Sequence, residues 1–233
     1  MNRMQLKSCS GFQEIDSDMD KIFSLKDILS LEKQKRTNLI NSIGGFKSVG
    51  LVGTINAHGQ TNLGIFSSLV HIGAHPPLIG LIFRPGNPMR DTLANILETG
   101  FYTINHINPF ILAQSHQTSA HYKADQSEFD AVGLTPHFEA AIPAPFVAES
   151  NIQLGVQFKE KLEITSNQTQ LVVGEIVFIK VPEKCVGNDG FVNLELANTL
   201  TCSGLDAYHS TQLLDRFSYA KPDKSLISLL TND

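Results

Sequence analysis

Ile152, Leu154, Val156 and Phe158 alternate with Gln153, Gly155, Gln157 and Lys159, and this period of two constrains the fold more than any other stretch. Such alternation puts one face on a core and the other toward water, as in a half-buried antiparallel strand. Asn167-Gln168 marks a turn, and Leu171–Val181 returns as a largely apolar run that reads as a strand covered on both faces. A hairpin this long is barrel construction, not catalysis.

Earlier in the chain, Val49–Ile55, Leu63–Ile72 and Leu78–Phe83 are three further apolar runs with strand character. Asn56-Ala57-His58-Gly59-Gln60 joins the first two with a link of hairpin length. Pro76-Pro77 ends the second run, because two prolines remove two ladder donors. Phe101–Ile107 alternates and reads as a strand entering the core, and Pro143 and Pro145 lead into the strand at 152.

Helical signals lie between the strands. Ser24 caps a helix over about 25 to 37, with Asp27 completing a capping box. Gly44-Gly45 stops it, and its apolar stripe is expected to pack on the barrel. Asn87 and Pro88 open a second helix, Leu93, Ile96 and Leu97 give it an apolar face, and Gly100 closes it. A third stretch runs from Pro109 to about 124, and 190–200 reads as a short helix or loop. The pattern predicts an all-β dominated fold, a split antiparallel barrel of Greek-key type with peripheral helices.

Several functions are excluded or disfavoured. A net charge of −5 argues against a protein that tracks nucleic-acid phosphates. Lys33, Lys35 and Arg36 form a small basic run that reads as a solvated helix face. Cys9, Cys185 and Cys202 have no metal-like spacing and read as free thiols in a reducing compartment. His116 and His121 are five apart, not the four that share a helical face, so no metal is expected. There is no GxSxG, no GxGxxG after a strand and no P-loop. No apolar run reaches the roughly 18 residues of a membrane helix, and no membrane partner is expected. Residues 1–20 lack a signal-peptide core, carry Glu14, Asp16, Asp18 and Asp20, and read as a disordered extension, with Met19 an alternative start. A single domain over 21–233, in the cytoplasm, is the expectation.

What remains is a concentration of polar groups around residues 54–92: Thr54, Asn62, Ser67, Ser68, Arg84, Arg90 and Thr92. Small residues at Gly64, Ser67 and Ser68 either admit something flat to the backbone or make a tightly packed wall. The start of the helix near 88 suits a phosphate, although arginines at such a place also pair with carboxylates or water. The mixture favours an anionic, hydrogen-bonding cofactor over a metal or a nucleophilic triad.

The blocks TNLGIFSSLVHIGAHPPLIGLIFRP and RDTLANILETGFYTIN resemble the flavin reductase-like, FMN-binding split-barrel family. So do residues 116–136, APFVAESNIQLG, LVVGEIVFIKV and SGLDAYHSTQLLDRFSYAKP, so the likeness covers roughly residues 24 to 222. The resemblance implies FMN, with its phosphate held by Arg90, Thr92, Ser67 and Ser68, Arg84 nearby, and its ring edge on Asn62 and the backbone of Leu63, Gly64 and Ile65. Thr54 is a weaker cofactor candidate. It further implies hydride transfer from NADH or NADPH to the flavin, and onward delivery to a partner oxygenase or another acceptor. A homodimer, with the tail from Leu205 to Pro222 near the flavin or the dimer contact, is implied too. The alternative is a non-catalytic FMN-binding electron carrier of the same fold. Gly64-Ile65 stands where many relatives carry Ala-Pro.

Overall fold

The computed structural model describes residues 20–85, 90–123 and 125–230, with the backbone alone at Arg90. Two short helices come first, α1 (Leu25–Ser30) and α2 (Lys33–Ile43). Then follow β1 (Lys47–Ser48), β2 (Gly50–Ile55), β3 (Thr61–Phe66), β4 (Leu69–Ala74), β5 (Pro77–Phe83), α3 (Arg90–Thr99) and β6 (Phe101–His106). A 3-10 turn leads into α4 (Leu112–Gln117) and α5 (Glu128–Val132). The second half holds β7 (Pro136–Glu139), β8 (Ile142–Val147), β9 (Gln153–Ile164), β10 (Thr169–Lys180), β11 (Thr201–Ser203) and β12 (Ala207–His209).

Seven strands form one antiparallel sheet in the order β3-β2-β6-β9-β10-β5-β4. Inward residues of β2, β3, β5, β6, β9 and β10, among them Val52, Phe66, Leu81, Tyr102, Val156 and Val172, meet in one buried cluster, so the sheet curls around them. The edge strands β3 and β4 follow each other in the chain, yet no ladder joins them among the described residues, which leaves the barrel split there. Helix α3 carries the chain from β5 to β6 and adds Ile96 to the barrel core. Gly100, at φ +75, ends it and donates to the Ile96 carbonyl at 2.9 Å.

A second core lies outside the barrel. Leu51 and Leu63 point away from the inward residues of β2 and β3 and pack with Ile111, Phe129, Val147 and Leu200. Here β8 crosses over β2 and β6, and the Thr103 hydroxyl donates to the Pro145 carbonyl at 2.6 Å. Buried Asn105 donates to the Leu51 carbonyl and accepts from the Val147 N–H, so one amide ties three strands.

The fold class, the two hairpins, the capping box at Ser24 and the Gly100 stop are all as expected. Several readings are corrected. The helix over 25–37 is two helices, broken at Leu31, whose ψ of 143° leaves the helical region. Arg36, read as solvated, donates to the carbonyls of Leu29 and Leu31 and so satisfies the open end of α1. The apolar stripe of these helices is largely left to solvent in the single chain, with Leu25 71% and Ile43 76% exposed and Ile28 and Leu39 half-buried. The run Leu63–Ile72 is two strands broken at Ser67-Ser68, and Pro143 and Pro145 lie within β8 and not before a strand. β10 is buried on successive residues only over Val172, Val173 and Gly174, while Ile179 is 60% exposed. The helix from Pro109 ends at Gln117; over 190–200 the loop alternative holds, as turns with one bridge at Val192. The cap at Asn87-Pro88, Cys9 and the extension at 1–19 fall outside the described residues.

Candidate functional site along the free edge of β3

Among the described residues β3 pairs with β2 alone, so alternate backbone groups face outward. Its start is walled by α3 and by the segment after α4. A small cleft there is lined by Asn62, Gly64, Thr92, Ser119, Tyr122 and Glu128. A neighbouring cavity of about 270 Å³ shares Asn62, Tyr122 and Glu128 and extends along Asn56, Gln60 and Lys123.

Hydrogen bonds fix this wall. Asn62 donates through Nδ2 to Thr92 Oγ1 at 2.9 Å and to Thr54 Oγ1 at 3.3 Å. Thr54, fully buried, also accepts from Asn95 Nδ2 at 3.1 Å. The Thr54 hydroxyl is therefore a peg on which β3 and α3 both hang, and its role toward any ligand is indirect. Sequence reasoning placed Thr54, Asn62 and Thr92 near one another, and the structure brings all three into contact.

Leu63, Gly64 and Ile65 lie on the same strand, but the Leu63 N–H is already engaged. It donates to Glu128 Oε2 at 2.9 Å, from the first residue of α5. The sequence reading passed over Glu128, whose neighbours show only a turn-rich stretch. Its one signal was Ser127 placed as a helix start ahead of it. Burial pushes the Glu128 carboxyl above its ordinary value, the Leu63 N–H pulls the other way, and Asp91 nearby adds to the rise.

A raised folded-state value means the folded chain holds the proton more tightly than the unfolded chain does. Its stabilising contribution is full below the ordinary value of 4.5 and is lost as pH rises through the folded value. Glu128→Gln keeps an oxygen for Leu63 and removes the charge. The variant should gain stability relative to the parent between pH 4.5 and pH 8, measured by urea unfolding at both. A stability difference that does not change with pH would show that the carboxylate is not penalised there.

The remaining candidates are dispersed. Ser68 donates to the Ile82 carbonyl at 3.0 Å, which closes the link between β3 and β4. Ser67 hydrogen bonds to Cys202, a buried thiol that burial pushes upward. Arg84 donates to Asn41 Oδ1 on α2 at 2.7 Å. Arg90 opens α3, two residues before Thr92, and its side chain lies outside the described residues. Asn62, Thr92 and Gly64 thus share one cleft, while Ser67, Ser68 and Arg84 hold other elements together.

The donor set suits a planar group with polar edges: an open strand edge, an amide and a hydroxyl, with glycine at position 64. No group of three or more His, Cys, Asp or Glu that could hold a metal occurs among the described residues. No helix among them is long and apolar enough to cross a membrane.

Comparison with known proteins fits this geometry. A candidate flavin reductase with a split barrel domain from Shewanella frigidimarina shares 46% identity, covers 86% of this chain and 100% of its own, and superposes with a TM-score of 0.83. Nitrilotriacetate monooxygenase component B from Bacillus cereus is 21% identical over 84% of this chain and 98% of its own, TM-score 0.73. The 2-nitrobenzoate 2-nitroreductase NbaA of Pseudomonas fluorescens is 22% identical over 87% and 97%, TM-score 0.71. Residues 46–195 match the model of the flavin reductase like domain, which spans β1 to the loop before β11. The chain belongs to that flavin reductase family.

Proposed function

We propose that this chain binds FMN and transfers hydride to it from NADH or NADPH. The observation that carries the reading is the polar wall of Asn62 and Thr92 beside the open edge of β3. In this reading the flavin ring lies along β3, its polar edge on Asn62 and the outward backbone of Leu63, Gly64 and Ile65. Thr54 and Asn95 hold Asn62 in place, and Arg90 with Thr92 meets the phosphate at the start of α3, with Ser67, Ser68 and Arg84 further along. Glu128 leaves the Leu63 N–H or is protonated when the ring arrives. Bound flavin supplies the hydride and electron chemistry, while the protein binds, orients and tunes. The Bacillus cereus relative is named as a monooxygenase component, which supports a partner oxygenase as the consumer of reduced flavin.

Stopped-flow mixing of the flavin-loaded protein with NADH and with NADPH tests this directly. Rapid loss of visible flavin absorbance with either nucleotide is expected. A flavin that stays oxidised with both would leave the second reading, an FMN-binding electron carrier.

We also propose a homodimer. The reading is supported by the exposed apolar side chains of Leu25, Leu29, Ile40, Ile43 and Phe46, which a second copy would cover. Sedimentation at micromolar concentration should show twice the 25.6 kDa chain mass, and a 25.6 kDa species alone would count against it.

A further inference from the structure

The two ends of the barrel differ. α3 plugs the end near Thr54 and Asn62, but at the Gly50 end of β2 the barrel stays open. A cavity of about 350 Å³ lies there, within the range of small-molecule sites. Its floor is apolar: Ile104 belongs to the barrel core, and Leu69, Ile79 and Leu154 pack against it. Ser48, Thr201 and Thr211 stand around the mouth.

A ring nitrogen of His106 lies beside this apolar floor. His106 occupies the next inward position on β6 after Tyr102 and Ile104. Its Nδ1 lies 3.1 Å from Thr199 Oγ1, and its Nε2 makes no hydrogen bond among the described residues. Burial lowers the imidazole to about 4, so the ring is neutral near pH 7. No Asp, Glu, Lys or Arg lines the cavity, and the other titratable group there is the exposed His71.

These features select a ligand. Without a cation in the wall, a phosphate or carboxylate would be desolvated with no compensation. A neutral imidazole presents Nε2 as a donor or an acceptor, depending on its tautomer, and a hydroxyl answers both. We propose that the open barrel mouth binds an uncharged phenol, its ring on the floor of Leu69, Ile79, Ile104 and Leu154 and its hydroxyl on His106 Nε2. The site shares no residue with the β3 cleft, so it stands or falls separately from the flavin reading.

The test is titration of 4-methylphenol into the full chain, followed by saturation-transfer NMR and by the His106 ring resonances. Saturable binding is expected, with a shift of the His106 signals. His106→Leu keeps the apolar floor and removes the hydrogen bond, so affinity should fall roughly 2- to 10-fold. Leu194→Trp, at the half-exposed rim, fills the mouth without touching the core and should abolish binding. Benzoate, the same ring with a charge, should not compete. Binding unchanged in Leu194→Trp, competition by benzoate equal to that of the phenol, or still His106 resonances would each overturn the assignment. Should His106→Leu fail to fold, the Trp variant and the wild-type resonances decide it.

Discussion

Gly53→Ala should cost about 3 kcal/mol of folding stability, at the upper end of what overpacking a core exacts. A Cβ at Gly53 would stand 2.2 Å from the Pro145 carbonyl oxygen and 2.6 Å from Thr103 Oγ1. Neither neighbour can yield cheaply. The first is backbone, and the second is held by its own hydrogen bond to that carbonyl. Relief requires lifting β8 off β2, which opens the second core around Val147. Gly44→Ala is the matched control, because nothing lies within 4 Å of its Cβ position and its φ of −67° suits any residue. Urea unfolding of both variants gives the comparison, and similar midpoints would refute the close crossing of β8.

Arg90→Ala should weaken FMN binding roughly 10- to 150-fold, the loss of one charge-assisted hydrogen bond. Riboflavin has no phosphate and should lose little. The prediction rests on Arg90 opening α3, where free backbone N–H groups also favour an anion. Apoprotein stability should change by no more than about 0.5 kcal/mol. Fluorescence titration of both flavins into both proteins separates the outcomes. Equal losses for the two ligands would remove Arg90 from the site and make Arg84 the next residue to replace.

The sequence carried the barrel well where a physical signal repeats. The alternation at 152–159 located β9, and Asn56–Gln60 located the β2–β3 turn, where the Asn56 side chain accepts from two backbone N–H groups. It carried less where a break has no special residue. Leu31-Glu32 ends one helix and begins another without glycine or proline, because Glu32 caps through its own side chain. Ser67-Ser68 parts β3 from β4 in the same unmarked way. Prolines misled at 143 and 145 because β8 pairs with β7 alone, and a strand with an unpaired side tolerates missing donors. At the site, Asn62 and Thr92 were legible because polar groups stand out in an apolar strand or a first helical turn. Glu128 was not, since its contact with Leu63 joins residues 65 apart.

The stagger of β9 against its neighbours implies a gradient of motion along one strand. Residues 153–157 sit between β6 and β10, whereas residues 160–164 have β10 as their one partner. Backbone protons near Val156 should therefore exchange with solvent only through global opening, and those near Leu162 through local fraying of the hairpin tip. The outer half of β9 would breathe while its inner half keeps time with the whole barrel, and Gly174, at a break in the β9–β10 register, marks where the two regimes meet.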